Sequence, residues 1–129
     1  MSLENYFETT RGIGVLATAD DKGKVNAAIY ARPHMLEEGA VAFIMADRLT
    51  RHNLESNPHA AYVFIEEGGG YKGKRLILTK VRETQDRELI ERLRRRTYSS
   101  ADENKMGDLR LVYFRLDEER PLIGAGPES

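Results

Sequence analysis

The sequence predicts a mainly β protein: a small six-stranded antiparallel barrel with two to three short helices that close its ends. Six short apolar segments alternate with turn-forming residues, and most connections between them are short enough for hairpins. Only two or three stretches show helical spacing of apolar residues. A parallel α/β fold fits poorly, because strands and helices do not alternate and no Gly-x-Gly-x-x-Gly lies between a strand and a helix.

Length and composition predict one domain over residues 1–129, in which 117–129 form a tail that is draped on the surface or frayed. The chain has 129 residues, of which 40% are hydrophobic and 32% charged, as in folded globular proteins. Its formal net charge is -1. We therefore expect no nucleic-acid partner, because the chain has no global positive field.

The absence of cysteine excludes disulfides, thiolate nucleophiles and cysteine-based metal sites. The three histidines form no His-x-His or His-x-x-x-His pair, so no metal site is expected. The longest apolar stretches are far below the roughly 20 residues of a membrane-spanning helix. The N-terminus is acidic where a secretory signal would be basic. These features predict a cytoplasmic protein without a membrane partner.

In the first half, the pattern predicts one helix and three strands that form an antiparallel meander. Ser2 is a natural cap for the helix. Turn residues at 20–24 join the first two strands as a hairpin, and residues 36–39 supply a second turn. The predicted elements are the helix Leu3–Thr10 and the strands Gly12–Ala19, Val25–Arg32 and Ala40–Met45.

The second half begins with a helix between Asp47 and Pro58, for which Asp47 or Thr50 is the expected cap. Asn57-Pro58 must end this helix, because the residue before a proline is disfavoured in helical conformation. The remaining predicted elements are the strands His59–Ile65, Lys74–Glu83 and Leu109–Leu116, a glycine-rich loop at 66–73, a helix capped by Asp86 with an apolar stripe of Leu89, Ile90 and Leu93, and a polar loop at Ser99–Gly107.

The start of the helix after Asp47 carries the strongest chemical signal. An apolar strand leads directly into a helix N-terminus that offers Arg48, Thr50 and Arg51. Free backbone N–H groups and the helix dipole attract an anion, a guanidinium can bind phosphate bidentately, and a hydroxyl adds a donor. The alternative is that Thr50 is only an N-cap and the arginines are solvated. Spacing alone leaves both interpretations open.

Three segments, Val25–Tyr30, Ala42–Pro58 and Ala61–Phe64, follow one another in a recognisable order, and the most distinctive piece is Asn-Leu-x-x-Asn-Pro at 53–58. Together they resemble the FMN-binding split-barrel family related to pyridoxamine 5'-phosphate oxidase. The likeness covers roughly residues 3–116. The resemblance implies a six-stranded antiparallel split β-barrel and a homodimer with FMN in grooves at the interface.

Carried over position by position, the resemblance places the flavin contacts on two segments. Asn26–Tyr30 would line the isoalloxazine ring, residues 45–48 would lie along the ribityl chain, and the helix start would meet the phosphate. No catalytic residue is implied. The implied cofactor-binding residues are Asn26, Ala27, Ala28, Ile29, Tyr30, Met45, Ala46, Asp47, Arg48, Thr50, Arg51 and Asn53.

Two departures from the family pattern bear on function. Many relatives have a lysine at the position of Thr50, so the phosphate charge here would rest on the arginines and the helix dipole. The sequence also has no counterpart of the C-terminal segment with arginine and histidine that holds the pyridoxal substrate in the oxidase, and Arg115–Leu122 matches it poorly. We therefore do not expect vitamin B6 oxidation.

Three functions stay open at the level of the sequence. The first is a redox protein that passes hydride or electrons through FMN. The second is a non-enzymatic module that binds, stores or senses a flavin or haem, and the third is an empty barrel used for oligomerisation. The glycine-rich loop with Tyr71 is either a mobile cover for the flavin or an ordinary hairpin connection. The residues do not identify the electron donor or acceptor, nor do they separate FMN from deazaflavin.

Overall fold

A computed structural model describes residues 2–37, 39–97 and 109–124. These residues form one seven-stranded sheet and three helices. The helices are α1 (Leu3–Thr9), α2 (Leu49–Ser56) and α3 (Arg87–Thr97), and the strands are β1 (Gly12–Ala19), β2 (Val25–Ile29), β3 (His34–Glu37), β4 (Ala40–Met45), β5 (His59–Glu66), β6 (Gly73–Thr84) and β7 (Arg110–Pro121). The predicted loop Ser99–Gly107 lies outside the described residues.

The sheet runs in the order β2-β1-β5-β6-β7-β4-β3, and its neighbouring strands are antiparallel. The sheet curls, so that strands that are not neighbours in this order face each other. The ring centroids of Phe43 on β4 and Tyr62 on β5 are 4.9 Å apart. Tyr30, directly after β2, lies 6.0 Å from Phe43. β2 and β3 are the two edge strands of the sheet. In the described residues β2 pairs only with β1, and β3 pairs only with β4, so the barrel is split between β2 and β3. The predicted mainly β split barrel is confirmed, with one strand more than expected.

Two apolar clusters hold the helices against the sheet. The barrel interior is lined by large buried residues such as Tyr62 and Phe114, and Phe7 of α1 and Leu54 of α2 close it. On the outer side of β4 and β7, α3 contributes Ile90 to a second cluster. Because β4 is covered on both faces, nearly all of its residues are buried, as expected for its uninterrupted apolar sequence.

The ends of α1 and α3 follow the predicted capping chemistry. The backbone N–H of Asn5 donates to Ser2 Oγ at 3.1 Å, which caps α1. The N–H of Leu89 donates to Asp86 Oδ1 at 3.2 Å, which caps α3. Both caps were readable from the sequence because a short polar side chain precedes an apolar periodic segment in each case.

The predicted meander is wrong. β4 pairs with β3 and β7, and β2 pairs with β1. The strand predicted over Val25–Arg32 ends at Ile29, and Leu36 and Glu37, predicted as turn, lie in β3. The chain leaves the first hairpin at Tyr30 and crosses to the far edge of the sheet. There a turn at Gly39, whose φ is 76°, leads into β4.

The predicted tail is also wrong for residues 117–121. β7 continues to Pro121 and pairs along its length with β6. The prolines and glycines of residues 117–129 favour a tail, but β6 provides partners for the side chains of Asp117 and Glu119 in this stretch. Lys74 Nζ, for example, lies 2.7 Å from Glu119 Oε2. Residues 125–129 lie outside the described residues.

No helix in the described ranges is long and apolar enough to cross a membrane.

Candidate functional site

The helix α2 is fastened to the β1–β2 hairpin by three side-chain hydrogen bonds. They involve Thr50 and Asn53, which lie one turn apart on α2, and Asn57, which follows the helix in extended conformation. Their contacts are Asn26 Nδ2 donating to Thr50 Oγ1 at 3.3 Å, Asn53 Nδ2 donating to Thr18 Oγ1 at 3.1 Å, and Asn57 Nδ2 donating to the Asp20 carbonyl at 3.3 Å. These bonds hold the start of β2 beside the N-terminus of α2, so the two segments that carry the predicted flavin contacts meet there.

No side chain caps the N-terminus of α2 in the described structure. Arg48 occupies the N-cap position in extended conformation, and the first turn contains no acidic residue. The predicted caps are wrong: Asp47 precedes the cap position, and Thr50 lies inside the helix, only 4% exposed. The first backbone N–H groups of α2 therefore lack a side-chain acceptor, and the positive end of the helix dipole is uncompensated by an acid in its first turn.

The two arginines at this helix end have different surroundings. Arg48 is exposed and makes no ion pair with any described residue. Arg51 is held by two carboxylates: its Nη2 donates to Glu83 Oε1 at 2.7 Å, and its Nη1 donates to Asp47 Oδ1 at 2.9 Å. The charge of Arg51 is thus compensated within the protein, whereas no described residue compensates the charge of Arg48.

Asp47 is shared between two basic side chains. In addition to Arg51, His52 approaches it, with Nε2 at 3.2 Å from Asp47 Oδ1. The other ring nitrogen of His52 lies 3.1 Å from Glu55 Oε1. The Asp47 carboxylate is therefore engaged by the Arg51 guanidinium and contacted by the His52 ring, and the Arg51 charge reduces its repulsion of an anion at the helix start.

Glu83 and His52 are members of this network that the sequence analysis did not assign. The i, i+4 spacing of Asp47 and Arg51 was a local signal for their pairing. Glu83 lies 32 residues beyond Arg51, on β6, and only the fold brings the two together. Its partnership with Arg51 had no signal in the sequence.

The Arg51–Glu83 pair makes the free energy of unfolding depend on pH in the acidic range. The Arg51 guanidinium holds the pKa of Glu83 below its ordinary value of 4.5. A carboxylate with a depressed folded-state pKa stabilises the fold fully above its unfolded-state pKa, and this stabilisation is lost as pH falls through the folded-state value. We expect Glu83→Gln to lower the free energy of unfolding by about 1 kcal/mol at pH 7, with the difference shrinking below pH 4.5. Urea unfolding from pH 7 to pH 3 measures this, and a difference that stays constant would contradict it.

The predicted flavin residues on β2 point to two sides of the sheet. Asn26 and Ala28 share the inner face, because they pair with Thr18 and Leu16. Ala27 and Ile29 face outward, and Ile29 is 71% exposed. Along its other edge, β2 has no partner strand in the described ranges, so backbone donors and acceptors are available there.

The remaining predicted residues connect the core to the helix. Met45 is the last residue of β4 and its side chain is completely buried, so only its backbone can meet a ligand. Ala46 and Asp47 form the short link to α2, in which the Arg48 N–H donates to the Ala46 carbonyl at 2.9 Å. Tyr30, which directly follows β2, packs edge-on against Phe43 of β4.

The sheet surface that faces away from the barrel interior is apolar over three neighbouring strands, and we call this part of the surface the outer face. Paired residues of neighbouring antiparallel strands share a face, and the register of β1 with β2 and β5 aligns alternate residues of the three strands. The outer face consists of Ile13, Val15, Ala17 and Ala19 on β1, Val25, Ala27 and Ile29 on β2, and Ala61, Val63 and Ile65 on β5. Val25 is 78% exposed and Ile13 is 59% exposed. The described helices bury their apolar residues elsewhere.

Comparison with protein-family models and with curated protein sequences gives no match for this chain. Comparison with solved structures gives clear matches. An FMN-binding protein from Syntrophomonas wolfei superposes with a TM-score of 0.74 at 15% identity, over 92% of this chain and 82% of that one. A candidate pyridoxamine 5'-phosphate oxidase from Lactobacillus delbrueckii superposes with a TM-score of 0.65 at 14% identity, over 92% of each chain.

The haem storage protein HutZ from Vibrio cholerae is a third similar structure, with a TM-score of 0.64 at 21% identity over 92% of each chain. At these identities the likeness concerns the fold, which hosts sites for different ligands. The chain has the FMN-binding split-barrel fold of the pyridoxamine 5'-phosphate oxidase-like proteins.

Proposed function

We propose that this protein binds FMN with its phosphate at the N-terminus of α2, and that it passes hydride or electrons through the flavin. The observation that carries the proposal is the combination of an uncapped helix N-terminus with an exposed arginine, Arg48, at the cap position. Backbone N–H groups, the helix dipole and a guanidinium together form an anion site.

The charges around α2 fit a phosphate monoester. At pH 7 such a phosphate carries a charge of about -1.5 to -2, which Arg48 and the helix end would balance in part. Asp47 would oppose it, but Arg51 and His52 already contact this carboxylate. The Thr50 side chain is buried and its hydroxyl oxygen accepts from the Asn26 amide, so Thr50 would contribute to the site through its backbone N–H and by fixing β2.

The edge of β2 fits the remainder of the cofactor. Asn26 stands at the helix N-terminus, and the strand leads away from it towards Tyr30 with its free edge exposed. Unpaired backbone N–H and C=O groups on that edge would bond the polar rim of the isoalloxazine ring. FMN supplies the redox chemistry when bound, while the chain anchors the phosphate, orients the ring and controls access to it.

We further propose that two copies pair through the outer face. An uncharged, exposed apolar sheet surface beside an unpaired edge strand is unfavourable in water. The residues of the outer face carry no charge, so pairing with an identical face would desolvate no charge among them. Small residues such as Ala17 and Ala61 permit close approach. Because β2 belongs to both this face and the flavin site, pairing would place the cofactor at the interface.

Titration with FMN and riboflavin tests the proposed site. Riboflavin has the same ring but no phosphate, so we expect FMN to bind at least about tenfold more tightly, as the loss of one charged hydrogen bond predicts. Flavin fluorescence or titration calorimetry measures both affinities. Equal affinities would show that the phosphate is not recognised at α2, and no binding of either would contradict a flavin function.

The likeness to HutZ favours a second candidate, haem storage without turnover. Haem would develop an intense absorption band on binding, and a storage protein would not pass electrons from NADH or NADPH to a flavin. Uptake of haem together with failure to take up FMN would therefore favour this candidate over the redox proposal.

A further inference from the structure

The hydroxyl of Tyr62 holds the chain at the point where it leaves β2. Tyr62 lies on β5, and its side chain is completely buried in the barrel. The hydroxyl has one proton to donate and lies 3.2 Å from the carbonyl oxygens of both Tyr30 and Ala31. Because β2 ends at Ile29, a side chain from two strands away bonds the first two residues after β2.

The phenol of Tyr62 can reach this point only because β1 has a glycine in its path. A Cβ atom at Gly14 would overlap the Tyr62 hydroxyl, and it would lie 2.7 Å from the Tyr30 carbonyl oxygen. Aromatic neighbours fix the ring itself: its centroid lies 4.9 Å from that of Phe43 and 6.5 Å from that of Phe64. The direction of the hydroxyl is therefore set by the core and by the glycine together.

The backbone direction at Tyr30 determines which groups of β2 face its outer edge. The Tyr30 N–H donates to the Gly14 carbonyl at 3.0 Å. In an antiparallel pair, the N–H and C=O of one residue point to the same neighbouring strand, and those of the next residue point to the opposite side. Ile29 therefore directs its N–H and C=O to the edge of β2 that no described strand pairs with. These are the last backbone groups on that edge before the chain turns towards Tyr62.

We propose that Tyr62 is a positioning residue for the flavin ring. Its hydroxyl fixes Tyr30 and Ala31, and it thereby holds the end of β2 in the place where the edge of this strand would bond the ring. This inference rests on the proposed function, since it concerns the ring side of the same site. The bond between Asn26 and Thr50 fastens the other end of β2 beside α2. The two fastenings therefore act on different parts of the cofactor, one on the phosphate and one on the ring.

Tyr62→Phe tests the proposal, because it removes the hydroxyl and keeps the aromatic ring in the core. The loss of this hydrogen bond should weaken FMN binding about three- to tenfold. Riboflavin binding should weaken by the same factor, because the ring is affected and the phosphate is not. At saturating FMN, the visible bands of the bound flavin should also shift, because the hydrogen bonds to the ring change. Calorimetric titration and absorption spectroscopy of the full chain measure these effects.

Tyr113→Phe is the matched control. Tyr113 is also buried, but it belongs to the second apolar cluster, on the outer side of β4 and β7. This substitution should leave both flavin affinities and the flavin bands unchanged. Urea unfolding of both variants shows that each is folded under the conditions of the titration, which separates a loss of stability from a change at the site.

Amide hydrogen exchange tests the positioning without any flavin. If the Tyr62 hydroxyl holds the segment after β2, Tyr62→Phe should speed exchange of the Tyr30 N–H about three- to tenfold. Tyr113→Phe should leave this rate unchanged.

Failure of this inference can be distinguished from failure of the proposed function. If the unsubstituted protein binds neither flavin, the proposed function fails and this inference fails with it. If the unsubstituted protein binds FMN but Tyr62→Phe leaves riboflavin affinity or exchange at Tyr30 unchanged, only this inference is overturned. Equal weakening of FMN and riboflavin together with faster exchange at Tyr30 would support it.

Discussion

Replacing Arg48 with alanine is expected to weaken FMN binding by about 1.5–3 kcal/mol, which corresponds to a roughly 10- to 150-fold rise in Kd. Arg48 is the exposed cation at the uncapped start of α2, and its side chain makes no capping hydrogen bond. Its removal should therefore take a charged hydrogen bond from the phosphate without disturbing the helix. Calorimetric titration with FMN measures the change.

Two controls isolate this effect. Arg92→Ala removes an exposed arginine from α3 and should leave FMN affinity unchanged. Riboflavin affinity should be the same for Arg48→Ala as for the unsubstituted protein, because the missing partner is the phosphate. If Arg48→Ala binds FMN as tightly as the unsubstituted protein, Arg48 does not belong to the site.

Ile13→Lys is expected to convert a dimer into a monomer. Ile13 is 59% exposed on the outer face, so the single chain should tolerate the change. In a two-fold interface each substitution occurs twice, and each copy would bury an unpaired ammonium as well as lose apolar contact. At about 2 kcal/mol or more per site, the dimer Kd should rise by about 1,000-fold.

Size-exclusion chromatography with light scattering measures this change. The unsubstituted protein should have twice the chain mass of 14.7 kDa and Ile13→Lys should have the chain mass itself. Gln85→Lys, which adds the same charge at an exposed position before α3, should stay dimeric. A monomeric unsubstituted protein, or an Ile13→Lys protein that stays dimeric, would contradict pairing through the outer face.

Elements with an uninterrupted local signal were predictable from the sequence. β1 and β4 have the predicted bounds, because apolar runs bounded by turn residues specify short strands without help from the rest of the chain. β3 was missed because His34–Glu37 is short and mixed in character, and its strand conformation comes from pairing with β4. The extension of β7 likewise depends on its partner, β6.

The candidate site was only partly predictable for a related reason. Residue type and spacing identify a helix start with two arginines, but they do not state which arginine has a partner. That distinction depends on Glu83, which the barrel brings to Arg51. The amide of Asn53 and the hydroxyl of Thr50 are suited to bind either a ligand or the protein, and the fold directs both to the β1–β2 hairpin.

The sequence of β1 indicates that its outer face is also covered. All residues of β1 are apolar, small or threonine, although a strand with one face in water usually alternates with polar residues. Such a strand needs a cover on both sides. The barrel interior covers one side, and the second side is free in the described chain.

The visible absorption spectrum of the purified protein tests the central claim most directly. The account predicts the two bands of an oxidised flavin, either as purified or after addition of FMN, and release of intact FMN on denaturation. A colourless protein that takes up no added FMN would contradict the phosphate site at α2, although the split barrel would stand.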